Sequence, residues 1–140
     1  MERYRVVGLA GLLLGLVSLI LPWFELTSID GHLTTYGFSG DGVFSFLLLT
    51  ISTGILFTQL KIWKRYLVAL LALIALLISA STISNVVSSV SRFAGGGVYF
   101  IIGPGGPLMI VACFTFFISV WLWREARDSQ GPASPSPAKP

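Results

Sequence analysis

Charge is what this sequence lacks, and it lacks it in blocks. Only 11% of its 140 residues are Asp, Glu, Lys or Arg, less than half the ~25% usual in a soluble globular domain. No charge falls within Val6–Phe24, Gly42–Leu60, Tyr66–Ser91 or Phe93–Trp123. A helix needs roughly 20 mainly apolar residues to cross a ~30 Å hydrocarbon core, and each block is about that long or longer. So little polar sequence remains between them that a soluble domain is excluded. One all-α membrane domain is the fold that fits.

Other absences exclude chemistry. Ion and proton paths place ionisable side chains at mid-membrane, and none of the four blocks carries one. The small four-helix multidrug exporters depend on a carboxylate in their first helix, where this chain has Gly, Leu, Val and Ser. There is a single cysteine, Cys113, so neither an intramolecular disulfide nor the cysteine pairs of quinone-linked disulfide enzymes can be built. One thiol in an apolar run reads as a small hydrophobe. There is also one histidine, His32. With Glu25, Asp30 and Asp41 it makes up the whole set of acid–base or metal-ligating candidates between the first two blocks, and spacing assembles no nucleophile–base pair from it. Neither an enzyme, a cofactor nor a metal site is expected. The net charge of +3 comes from basic residues that flank the apolar blocks and are too few for nucleic acid.

What is present organises the membrane domain. Spans are predicted at about 6–23, 43–60, 66–88 and 107–123, with loops at 24–42 and 89–106 and a tail at 124–140. A cleaved signal peptide is not expected at the first span, because Leu21-Pro22-Trp23-Phe24-Glu25 is bulky where a signal peptidase needs small residues. Tyr4, Trp23, Trp63, Tyr66, Trp121 and Trp123 are placed at the interfaces, where aromatic residues concentrate. Pro107 suits the first turn of the fourth span. Of the nine basic residues, all but Arg92 fall on one side of this layout. Short positive loops stay cytoplasmic, so both termini and the Lys61–Arg65 turn are expected inside, with the two longer loops outside. The tail has four prolines among small residues from Ser129 onward and is expected to be disordered.

The first outer loop has strand-type residues on both sides of Asp30-Gly31, a hairpin-turn signature. The second is similar but weaker: Ser91–Phe93, a turn at Gly95–Gly97, then Val98–Ile102. Two short hairpins forming one small extracellular sheet are therefore predicted. Gly40-Asp41-Gly42 marks the entry to the second span, with Asp41 as its N-cap. Tyr36-x-x-x-Gly40-x-Gly42 and Tyr99-x-x-x-Gly103-x-Gly105 share a pattern, as do Arg3-Tyr4 and Arg65-Tyr66. These pairs fit either an internal duplication or a common preference at helix entries.

Two stripes stand out within the spans. Gly8, Gly11, Gly15 and Ser18 share one narrow face, the close-packing pattern of membrane helices, suited to packing within the bundle or to self-association. Ser81, Ser84, Asn85 and Ser88 share a face of the third span, with Thr50, Ser52, Thr53 and Thr58 as their partner face on the second. Polar stripes in lipid must face protein or water. This one is expected to be buried and dry within the bundle; the other reading is a polar pocket open to the outside.

The inside-starting helix, Pro22-Trp23-Phe24, outer hairpin and Gly40-Asp41-Gly42 entry together resemble small uncharacterised four-helix (tetraspan) membrane proteins of prokaryotes. More distantly, the topology is similar to that of claudin-type proteins. The paired extracellular cysteines and Gly-Leu-Trp motif of that family are missing, so the resemblance implies a helical bundle under an extracellular sheet and not junction formation. The expected function is non-enzymatic: an accessory, assembly or self-associating subunit of the cell membrane, whose partners are lipid and another membrane protein or itself. A small transporter or pore-like protein is the alternative.

Overall fold

A computed structural model describes residues 2–28, 31–58, 62–93 and 99–128. These residues form four α-helices, α1 (Arg3–Ile20), α2 (Gly42–Phe57), α3 (Ile62–Phe93) and α4 (Gly105–Asp128). Three strands accompany them, β1 (Pro22–Ser28), β2 (Gly31–Tyr36) and β3 (Tyr99–Ile102). Windows within α1, α3 and α4 are long and apolar enough to cross a membrane; α2, at 16 residues, is apolar but shorter.

Local chemistry sets the helix ends. The residue before a proline is pushed out of the helical region, and Leu21 before Pro22 is extended at φ −77°, ψ 150°. Helix α1 therefore stops one residue short of the proline, and Trp23, which the sequence places at a helix end, lies in a strand. Pro107 sits in the first turn of α4, where a missing N–H has no helical partner to lose.

The helices run alternately up and down. Gly8 faces Leu56 and Gly15 faces Leu49 across α1–α2, while Gly11 faces Thr115 and Phe116 across α1–α4. Between α2 and α3, Ser45 meets Ser79 and Asp41 meets Thr82; Thr58 meets Lys64 at the far end. The closed circuit α1-α2-α3-α4 surrounds Leu49, Leu56, Val68, Met109, Cys113 and Phe116, all fully buried. Small residues fill the narrow places, Ala72 and Ala75 on α3 and Ala112 on α4.

The sheet sits over the end where α1 finishes and α2 and α4 begin. Its order is β2-β1-β3, antiparallel throughout. The first hairpin's paired strands and the capping sheet are present, but among the described residues there is no second hairpin. Residues 91–93 continue α3, and β3 pairs as a single strand on the free edge of β1. Because β1 already offers that edge, β3 needs no hairpin partner of its own; residues 94–98 lie outside the described set. Ser28 pairs with Gly31, so Gly31 belongs to the ladder, with φ 156°. Asp30, the other expected turn residue, lies outside the described residues.

Two further boundaries differ from expectation. Helix α4 runs through 124–128 because Arg-Glu-Ala-Arg are good helix formers and no breaker intervenes. Helix α3 spans 32 residues, about 48 Å at 1.5 Å per residue. Since Thr82 lies level with the start of α2, residues 83–93 rise about 16 Å beyond it.

A candidate binding cleft at the sheet end

The glycine stripe shapes the base of this end. Gly8, Gly11, Gly15 and Ser18 are all buried inside the bundle. A Cβ at Gly11 would overlap the Thr115 hydroxyl and come within 3.0 Å of the Phe116 ring; at Gly8 it would lie 2.6 Å from Leu56. The stripe is thus occupied by α2 and α4 and is not a free face. At its top, Ser18 Oγ donates to the Gly105 carbonyl at 2.7 Å, and Trp23 Nε1 donates to the Ser18 carbonyl at 2.9 Å. Trp23 is 2% exposed and lies against Gly37, Gly105 and Gly106, with its carbonyl accepting from Gly103 N–H at 2.9 Å. Trp23 is thus packed inside the protein at the end of α1, as the wedge that locks the sheet to α1 and α4. Tyr4 and Trp123 are buried together at the opposite end, whereas Trp63, Tyr66 and Trp121 are exposed.

Of the shared Tyr-x-x-x-Gly-x-Gly pattern, the second glycines do corresponding work, but the first do not, Gly103 meeting the Pro22 backbone and Gly40 open space. Gly42 and Gly105 are the first residues of α2 and α4, and each meets backbone too closely for a side chain, Gly37 in one case and Leu21 in the other. The two Arg-Tyr pairs do not correspond, since Tyr4 is buried and Tyr66 exposed. Gly40 faces open space, with nothing within 4 Å of where a Cβ would sit. Asp41 stands at the N-cap of α2, but its side chain makes no cap hydrogen bond. Instead, Thr82 Oγ1 on α3 donates to Asp41 Oδ2 at 2.7 Å. The α2 entry is thereby tied to α3.

The polar stripe of α3 is not where the sequence suggests. Ser81, Ser84, Asn85 and Ser88 are all exposed. Ser81 and Ser88 spend their hydroxyls on their own helix, donating to the carbonyls of Ile78 and Asn85. They do not enter the bundle and are not among the residues lining the cavity described below. Thr50, Ser52, Thr53 and Thr58 likewise donate to carbonyls of α2; of the four, Thr58 also reaches α3, accepting from Lys64 Nζ at 2.9 Å at the far end from the polar stripe. The face of α3 turned to α2 is Val68, Ala72, Ala75, Ser79 and Thr82. There Ser45 Oγ lies 2.9 Å from Ser79 Oγ and 3.2 Å from the Ala75 carbonyl.

That same face of α3, continued to Val86, forms one wall of a cavity of about 280 Å³. The opposite wall is the sheet. Alternation puts Phe24, Leu26, Leu33, Thr35 and Phe100 on the cavity side and Glu25, Thr27, His32, Thr34 and Tyr99 on the other. The Phe24 and Phe100 rings stack at 5.8 Å between centroids. Gly40 and Asp41 close the floor beside Thr82. On the far face His32 is held between Thr27 and Thr34, its two ring nitrogens 2.9 and 3.1 Å from their hydroxyls. Among the described residues no three His, Cys, Asp or Glu side chains lie close enough together to hold a metal ion. Among those residues Asp41 is the single charged one lining the cleft.

The residues that the sequence left unremarked here are Ser45, Ser79, Thr82, Val86 and Phe100. A signal existed for the helical ones: 68, 72, 75, 79, 82 and 86 recur at alternating steps of four and three, the mark of a packed helix face. Comparison with known proteins gives no matching family model, no matching curated relative and no matching solved structure.

Proposed function

We propose that the chain is a non-enzymatic integral membrane protein with four spans, both termini cytoplasmic and the sheet end outside, acting as a binding or assembly subunit through its outer face. The fourth span in this reading is α2, which lies antiparallel between α1 and α3 at about 24 Å long. Its shortness is supported by the ties at both ends, Asp41 to Thr82 and Lys64 to Thr58. The orientation rests on the basic residues, eight of which lie at or beyond the end opposite the sheet or in the tail, the cytoplasmic side by the positive-inside bias. The cell membrane is the natural location for such a layout.

One observation carries the functional reading: the interior of the bundle is filled. Phe116, Leu49, Leu56 and Met109 are fully buried across its middle, and every buried serine or threonine has a hydrogen-bond partner. A solute path would need charged or carbonyl groups lining a wet passage, and these side chains offer a dry apolar plug instead. An open feature lies instead beneath the sheet, the cleft. Self-association through the glycine stripe loses its support, since α2 and α4 already cover that stripe. The test is twofold. Chemical crosslinking in native membranes should yield a stable partner engaged through the sheet end. Proteoliposomes holding the purified protein should show no more flux of small polar solutes than empty vesicles. Specific, saturable flux would overturn the reading in favour of a transporter.

A further inference from the structure

The cleft has the chemistry of a site and not only the shape of one. A sheet with one apolar face normally buries it against the element beneath. Here Leu26, Leu33 and Phe100 look across a gap at Val86 and Thr82, and Leu33 remains 64% exposed. The volume, about 280 Å³, lies just below the ~300–1,000 Å³ of ligand pockets. It suits a compact molecule and is too small for a folded domain or a whole lipid.

Charge narrows the class. Among the described residues Asp41 is the one charged group lining the cleft, and no basic side chain lines it. Thr82 fixes Oδ2, while Oδ1 accepts no hydrogen bond among the described residues. An anionic ligand would be repelled there; an ammonium donates to carboxylate oxygens with its three N–H groups. Position narrows it further. Asp41 and Thr82 are at the bundle side of the cleft, whereas Val86 is one turn farther along α3, and Leu26 and Leu33 are one pair closer to the hairpin tip. A bilayer lipid would arrive with its chain toward the bundle and its head away from it. The cleft has the reverse polarity, so its ligand enters from the water, charged end first.

We propose that this cleft binds a small organic ammonium with an apolar body, its head on Asp41 and Thr82 and its body between the Phe24–Phe100 stack, Leu26, Leu33 and Val86. The proposal rests on the outward-facing reading above and gives that outer face a ligand class. The experiment uses the full chain in phospholipid nanodiscs, titrated by calorimetry with hexylammonium, with hexanol and hexanoate as controls of equal chain length. Empty nanodiscs provide the partitioning baseline. Hexylammonium should bind saturably and at least tenfold more tightly than hexanol, and hexanoate should not bind. Asp41→Asn should weaken the ammonium about tenfold, as loss of one charge-assisted hydrogen bond requires, and leave hexanol unchanged. Leu26→Trp, which fills the cleft from the sheet side, should abolish binding and keeps the test decisive if Asp41→Asn does not fold. Equal affinity for ammonium and alcohol, no response to either substitution, or no saturable ammonium binding would overturn it. Flux in proteoliposomes is read separately, so failure of the non-conducting reading is distinguishable from failure of this site.

Discussion

Adding one methyl group at Gly105 tests whether Trp23 locks the sheet to the bundle. An alanine Cβ there would overlap Trp23 Cδ1 and lie 2.8 Å from both Trp23 Nε1 and the Leu21 carbonyl oxygen. The carbonyl is backbone at the α1 terminus, and the indole is held by its bond to the Ser18 carbonyl. Neither can rotate away, so α4 must shift, which strains the Ser18–Gly105 hydrogen bond as well. Overpacking costs about 1–3 kcal/mol and loss of a hydrogen bond about 1 kcal/mol. Alanine returns up to ~1 kcal/mol through helix propensity. The net expectation is about 1–3 kcal/mol of destabilisation. A chain of this size loses about 3–5 °C per kcal/mol, so Gly105→Ala should lower Tm by roughly 3–15 °C in a helical circular-dichroism melt in maltoside micelles. Gly54→Ala is the control, since nothing lies within 4 Å of its Cβ position. It should leave Tm unchanged or raise it. A Gly105→Ala protein melting at the wild-type temperature, or a Gly54→Ala protein losing as much, would refute the close-approach reasoning.

Three more outcomes follow from the same geometry. A reporter fused after Pro140 should be active only in the cytoplasm and one inserted between Ile29 and Asp30 only outside; the opposite pattern reverses the topology. Ser45→Ala and Ser79→Ala should show a coupling energy of about 0.6 kcal/mol in a double-mutant cycle, the mean for interhelical hydrogen bonds in membranes; strict additivity would mean that the 2.9 Å contact contributes nothing. In a Cys113→Ala background, Ser88→Cys should react rapidly with an impermeant maleimide added outside, whereas Cys113 of the unaltered chain, fully buried, should react only after unfolding. Protection of Ser88→Cys would indicate that the exposed serine face is covered in the native membrane.

The two stripes show why part of this structure could be read from sequence and part could not. Small residues in a membrane helix have one physical use, letting backbones approach, so Gly8, Gly11, Gly15 and Ser18 announce a packed face whichever helix supplies the partner. Serine and asparagine on a helix have several uses. Ser81 and Ser88 satisfy themselves on carbonyls three residues back, which needs no neighbouring helix, and α3 is long enough for its polar end to clear the apolar core. Judged by content, 81, 84, 85 and 88 look like the functional face. Judged by period, the packed face is 68, 72, 75, 79, 82 and 86, and there Ala72, Ala75 and Ser79 are the small residues that let α2 come close.

The cleft was harder to foresee because it is made by a difference in length. Spacing shows that Asp41 opens a helix, and an N-cap role follows by default. It cannot show that α3 stands about 16 Å above that point, bringing Thr82 to the carboxylate and Val86 opposite the sheet. Likewise, alternation in β1 shows that Phe24 and Leu26 share a face, but the register with Phe100 depends on β3 pairing as a lone strand. Once α3 takes residues 91–93, β3 is too short to cover its flank as well as pair with β1. The apolar face of the sheet then stays partly open above the one acidic floor. An exposed carboxylate, a satisfied threonine and an unfilled apolar wall are each unremarkable alone. Their convergence at the sheet end of a filled bundle is what the proposed recognition site rests on.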